Sequence, residues 1–148
     1  MSRSTGTGRS RLRADDGDAT LELLVLAPVV LILVGLLVAA GRTSIAQGSV
    51  EAAARDASRQ ASIARTPAEA RAAAIASARL ALSHDSLGCT PVVTVDVTGF
   101  SVPVGRPANV SAQVSCTVRL SDLLVPGLPG SKTLRASFTS PLDPYRGR

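Results

Sequence analysis

The sequence predicts an α+β membrane protein: a long N-terminal transmembrane helix continuing into an Ala-rich stalk, a second helix, and a small three-stranded antiparallel sheet with one disulfide. Three observations predict it. Residues 19–41 form an apolar run whose only charge is Glu22. The stretch "TPAEARAAAIASARLALS" opens with a helix-capping signature. From Cys89 onward the apolar residues recur with period two, the signature of half-buried strands.

Residues 1–17 read as a disordered basic leader: "MSRSTGTGRSRLRADD" has no apolar periodicity. The transmembrane helix follows over 18–41. The 23 residues 19–41 rise about 34 Å as a helix, enough to cross a bilayer. Arg3, Arg9, Arg11 and Arg13 precede it, while Arg42, Arg55 and Arg59 follow. That bias places the N-terminus in the cytoplasm and the C-terminal part outside. Pro28 has no N–H to donate and crowds the carbonyl of Leu24, so a bend or loosened turn is expected there. Gly35 and Ala39 form a small-xxx-small pair that either admits a second helix or is lipid-facing filler.

Residues 42–84 are expected to hold the helical stalk and the second helix. The stalk, "TSIAQGSVEAAARDASRQASIAR", consists of good helix formers carrying both signs of charge and should run to about Ala64. Thr66 as N-cap, Pro67 at the first helical position and Glu69 at the third make a capping box for the second helix, which should end near Ser83. Ile75, Leu80 and Leu82 are its only large apolar residues.

Residues 85–148 read as a small extracytoplasmic β-rich domain with a loose tail. In "CTPVVTVDV" Cys89, Val93, Val95 and Val97 share one parity. In "NVSAQVSCTVRL" Val110, Ala112, Val114, Cys116, Val118 and Leu120 alternate without exception against polar residues. A third, weaker strand, "KTLRASF", follows the apolar loop from Leu123 to Leu128. Three strands need a cover, which the Ala-rich helices supply. Each cysteine lies on the apolar face of its strand, so Cys89 and Cys116 meet if the strands are neighbours. In an oxidising compartment the bond would contribute about 3 kcal/mol; in a cytosolic domain the same residues would be buried free thiols.

Composition excludes several functions. The net charge is +5, but the sixteen basic residues, fifteen of them Arg, form no dense run, and there are only two Phe, one Tyr and no Trp. A nucleic-acid partner is therefore not expected. The cysteines have neither CxxC spacing nor a nearby histidine, so no metal site is expected. His84, the only histidine, sits beside Asp85 at a predicted helix end, where capping or solvation accounts for it. No serine lies in GxSxG, and "PGLPG" lacks the Lys of a phosphate loop. The sequence predicts no catalytic residues, no cofactor and no small-molecule substrate.

The motif that remains is "GDATLE", with Gly17 five positions before Glu22 at the head of the apolar run. It resembles the processing site of type IV prepilins, where a membrane aspartyl peptidase cuts after the Gly and the Glu lies fifth in the processed chain. A carboxylate entering a bilayer costs a few kcal/mol unless it finds a partner. The resemblance supplies one: the new N-terminal amine of a neighbouring subunit, which here belongs to Asp18. More widely, "GDATLELLVLAPVVLILVGLL" with Glu22 and Pro28, then Arg42, "IAQGSVEAAARDASR", a cysteine pair and "DPYRG", is similar to the TadE-like family in its high-GC Gram-positive form. Members are pseudopilin components of the tight-adherence (Flp) pilus assembly system. The resemblance implies a single-pass membrane protein that serves structure and assembly. Its implied partners are the membrane, a prepilin peptidase, other pilin or pseudopilin subunits and the Tad machinery.

A second reading stays open. Val38, Ala39 and Ala40 satisfy the small-residue rule for signal peptidase cleavage after Ala40, leaving Gly41 as the first residue. The product would be a small binding module contacting its partner through its sheet and the loop from Leu123 to Leu128. The 18-residue apolar run from Leu23 to Ala40 is long for a signal peptide, and Glu22 burdens it.

Overall fold

The computed structural model of the chain describes residues 15–84, 88–123, 127 and 129–145, with side chains from residue 22 onward. The order of elements is α1 (Asp15–Ser62), α2 (Pro67–His84), β1 (Val92–Asp96), a 3-10 turn (Thr98–Ser101), β2 (Asn109–Arg119), the short helix α3 (Leu120–Leu123) and β3 (Ser131–Pro141). The three strands form one antiparallel sheet in the order β1-β2-β3. The chain divides into two compact units, residues 1–38 and 39–148.

In the second unit both helices cover one face of the sheet. The part of α1 expected as a stalk is also a wall of the core: Ala46, Val50, Ala53, Ala54, Ala57 and Ala61 are all buried. Their spacing of three, four and seven residues puts them on one stripe. In α2 the buried residues are Ala70, Ala74, Ala78 and Leu82, a strict four-residue repeat. Sequence reading picked Ile75, Leu80 and Leu82 as the apolar positions of this helix, yet Leu80 is 62% exposed. The physical reason is room: α2 packs on the sheet through methyl groups, which allow a closer approach than a leucine row.

The sheet contributes Val110, Ala112, Val114, Cys116 and Val118 from β2, the central strand, all at most 2% exposed. Its alternating burial follows the sequence pattern residue for residue. The opposite face is polar, and there Thr117 and Thr133 hydroxyls meet at 2.9 Å across the β2–β3 pair. β3 is longer than "KTLRASF" suggests, since all eleven of its residues pair with β2. Its buried Leu134 and half-buried Ala136 and Phe138 face the helices.

The capping signature works with one change. Thr66 Oγ1 accepts the Glu69 backbone N–H at 3.2 Å as a capping box requires, but the Glu69 carboxylate reaches back to the N–H of Arg65 (3.3 Å) rather than that of Thr66. The tail is also less loose than expected. Leu142 is buried and its N–H donates to Ala108 O at 2.8 Å, while Pro144 O accepts from Gly105 N at 2.9 Å. An isolated leucine after a polar strand gives no periodic signal; its burial comes from the gap beside the 3-10 turn. Residues 146–148 lie outside the described residues.

The Cys89–Cys116 disulfide is formed, with the Cα atoms 5.8 Å apart. It ties the segment leading into edge strand β1 to the central strand. The bond joins residues 27 apart in sequence; replacing Cys116 with Ser opens that loop, and the full chain in detergent should lose about 2–5 kcal/mol, on the order seen when native disulfides of small domains are removed, read as a lower thermal midpoint. An unchanged midpoint under oxidising conditions would show that the bond carries no stability.

Gly99 is buried in the 3-10 turn, where a Cβ would press into the backbone carbonyl of Asn109 and stand 3.0 Å from Leu142 Cδ1. Neither the carbonyl of a paired strand nor the docked leucine can move away freely. Gly99→Ala should therefore cost about 1–3 kcal/mol by overpacking, measurable as a lower thermal midpoint and faster exchange of the Leu142 amide.

Asp96 ends β1, and its Oδ1 accepts the Thr98 backbone N–H at 3.0 Å. This hydrogen bond, with a second from the Thr98 side chain, holds the Asp96 carboxyl below its ordinary value of 3.8. A depressed pKa means the folded state favours the carboxylate. The turn's contribution is thus present above the ordinary value and is lost as pH falls through the lower one. A carboxyl-carbon NMR titration should place the Asp96 midpoint below that of Asp in a model peptide.

Candidate functional site

The first unit displays its apolar side chains on every side. From Leu23 to Val38 each Leu, Ile and Val is between 49% and 73% exposed. A core helix of a soluble protein would bury one stripe of these residues. Here none of the most apolar stretch is buried, and the helix is long and apolar enough to cross a membrane.

Gly17 and Asp18 lie within α1, their side chains outside the described residues. Glu22 is exposed one residue before the apolar run and makes no hydrogen bond or ion pair with another described residue. The helix assignment continues on both sides of Pro28. A Cβ at Gly35 would have no atom within 4 Å, so its face is open to a neighbour of another chain or to lipid. Where the apolar run ends, Thr43 Oγ1 donates to Ala39 O at 2.9 Å, satisfying the hydroxyl within the helix. Thus the structure places Glu22 and Pro28 on the same exposed helix, and it brings Cys89 and Cys116 together elsewhere, in the second unit, as a structural bond.

Other candidates carry little chemistry. A shallow groove between α1 and α2 is lined by Gln60, Ala73, Ala76, Ser77 and Leu80 and offers no charged group. Among the described residues no group of three or more His, Cys, Asp or Glu is placed to hold a metal ion. His84 is exposed in the last turn of α2, and Asp85 lies outside the described residues. Of the loop from Leu123 to Leu128, Leu123 is buried, and residues 124–126 and 128 lie outside the described residues. The expected leader, residues 1–14, lies outside them as well.

Sequence reading missed the link that seats α1 on β3. Ser58 is fully buried, donating to Arg55 O at 2.9 Å and standing 3.0 Å from Ser140 Oγ, while the Arg55 guanidinium lies 4.6 Å over the Phe138 ring. A serine four residues after Ala54 and three before Ala61 on an alanine stripe was the available signal.

No curated protein and no solved structure gives a significant match to the chain. A family comparison does: residues 17–59 match the model described as "TadE-like protein". The match begins at Gly17, takes in Glu22, Pro28 and the whole apolar run, and continues into the alanine stripe of α1. Over this segment the chain is similar to TadE-like proteins.

Proposed function

We propose that the protein is a membrane-anchored pseudopilin, a structural and assembly component of a Tad (Flp) type IV-like pilus, with no catalytic role of its own. The observation that carries the reading is Glu22, a carboxylate without a partner among the described residues at the head of an exposed apolar helix, five positions after Gly17 in the segment that matches the TadE-like family. In this reading residues 1–17 are the leader and residues 18–41 the span. The leader stays in the cytoplasm, and the domain beyond Gly41 is extracytoplasmic.

Magnitudes decide between an accidental and a functional Glu22. The run from Leu23 to Ala40 holds thirteen Leu, Ile and Val residues. At about 0.3–0.6 kcal/mol each on insertion scales, they favour the membrane by roughly 4–8 kcal/mol. A charged side chain opposes this by about 3 kcal/mol at the bilayer centre and less near the interface. Insertion therefore tolerates Glu22 without needing it, and a charge that membrane anchoring does not need points to a partner. Twenty residues separate Glu22 from Arg42, about 30 Å of helical rise, which sets both at the borders of the hydrocarbon. A prepilin peptidase working at that border would cut after Gly17, whose lack of a side chain leaves the peptide bond accessible. The freed amine of Asp18 would then neutralise Glu22 of a neighbouring subunit, setting the register of assembly.

Sequencing the N-terminus of the mature protein tests the processing step. Asp18 is expected; Gly41 would instead indicate release by signal peptidase, and Met1 or Ser2 an uncleaved anchor. Glu22→Gln keeps size and hydrogen bonding while removing charge. It should leave membrane insertion intact and abolish co-purification with pilus subunits. Gly17→Leu should leave full-length precursor in the membrane. Normal assembly of Glu22→Gln together with normal processing of Gly17→Leu would defeat the pseudopilin reading.

A further inference from the structure

Three contacts within the second unit fix how α1 lies against β3. Gln47 Nε2 donates to Arg135 O at 3.2 Å, Arg55 stacks over Phe138 at 4.6 Å, and Ser58 Oγ stands 3.0 Å from Ser140 Oγ. Helix and strand therefore run side by side in the same direction. Their advances agree: the helix from Gln47 to Ser58 and the strand from Arg135 to Ser140 each rise about 16 Å. Continued backward from Arg135 at the same ratio, Lys132 comes level with about residue 40, where the apolar run ends, and Ser131 lies one strand residue further on. Arg119 is the register partner of Ser131.

The fold thus gathers Arg42, Arg119, Lys132 and Arg135, scattered in sequence, at the end of the domain where the chain leaves its apolar run. All four are exposed. Asp122 lies there too, 3.3 Å from the Arg119 guanidinium, and leaves an excess of positive charge. The far end mixes both signs, with Arg65 and Arg106 beside Glu69, Asp96 and Asp143.

We infer that this basic end of the domain rests on the anionic phospholipid headgroups of the bilayer that holds residues 23–40. The inference depends on the membrane-anchored reading above. Arg42, one residue past Gly41, is confined to the headgroup level by the apolar run before it. The register of α1 on β3 then carries Lys132 and Arg119 to that level, and Arg135 to within about 10 Å of it. Exposed cations at that distance from an anionic surface are attracted over about a Debye length, roughly 8 Å at physiological salt. Long Arg and Lys stems can also lie along the interface while their heads meet phosphate.

The chain contains no Trp, so single tryptophans report without background. The full chain would be placed in lipid nanodiscs as Ser131→Trp at the basic end, Val104→Trp at the far end, or Leu31→Trp in the span. Quenching by brominated lipids is then measured. In discs containing phosphatidylglycerol, shallow bromines should quench Ser131→Trp at least twofold more than Val104→Trp. The excess should fall by half or more in phosphatidylcholine discs, at about 0.5 M salt, or when Arg119→Gln, Lys132→Gln and Arg135→Gln are combined. Thr133→Trp, on the same exposed face, supplies the readout if Ser131→Trp does not fold. Equal quenching at Ser131 and Val104, or quenching at Ser131 indifferent to lipid charge and salt, overturns the inference alone. Failure of deep bromines to quench Leu31→Trp removes the membrane anchor, and the inference with it.

Discussion

The folded part of this protein depends on one seam, the shared core in which the small-residue stripe of α1 (Ala46, Val50, Ala53, Ala54, Ala57, Ala61) is buried together with the apolar face of the sheet. A three-stranded sheet is not stable alone in water, because one face of Val and Ala would stay wet. The alanine stripes of α1 and α2 cover that face, and their small side chains make up in closeness of approach what they lack in area. With only two Phe in the chain and no Trp, no bulky side chain could bridge a wider gap between the layers. The polar Ser58 and Ser140 pair is tolerated inside because each hydroxyl finds the other, and among the described residues no buried side-chain N or O lacks a partner.

The same helix meets two different requirements in sequence. From Leu23 to Val38 it is apolar all round and buries nothing within the chain; from Ala46 to Ala61 it is apolar along one stripe only. The sequence shows where the continuous apolar run stops and that the helix continues as an Ala-rich stalk, but not that one stripe of the stalk is a wall of the core. The strict alternation of β2 was equally legible, because a central strand covered on one face leaves every second position only one environment. What escaped reading was quieter. Alanine contributes little to a hydropathy pattern, so the large apolar residues Ile75, Leu80 and Leu82 stand out in the sequence while the buried Ala70, Ala74 and Ala78 do not. The full span of β3 was hidden by its Ser and Thr residues, which face outward on a strand whose buried positions are few.

The motif around Glu22 was legible for a different reason: it breaks the pattern of its surroundings. A single carboxylate in a run where every neighbour is apolar is conspicuous, and its distance from Gly17 supplied the resemblance. Its partner was not legible, and the fold of one chain does not supply it, because the partner proposed is the amine of another subunit. Local structure sets where Glu22 stands; on the proposed reading, what it does is decided between chains.

The basic end of the domain shows the complementary case. In sequence, Arg42, Arg119, Lys132 and Arg135 form no cluster. Their gathering follows from two geometric facts that no composition contains, the antiparallel register of β2 on β3 and the parallel run of α1 along β3. Both are consequences of the alanine seam. A helix whose stripe is buried in the core cannot slide along the sheet without lifting Val50 out of its place, so the level of Arg42 relative to Lys132 is set by core packing rather than by surface charge. The electrostatic character of that end is thus a product of the interior.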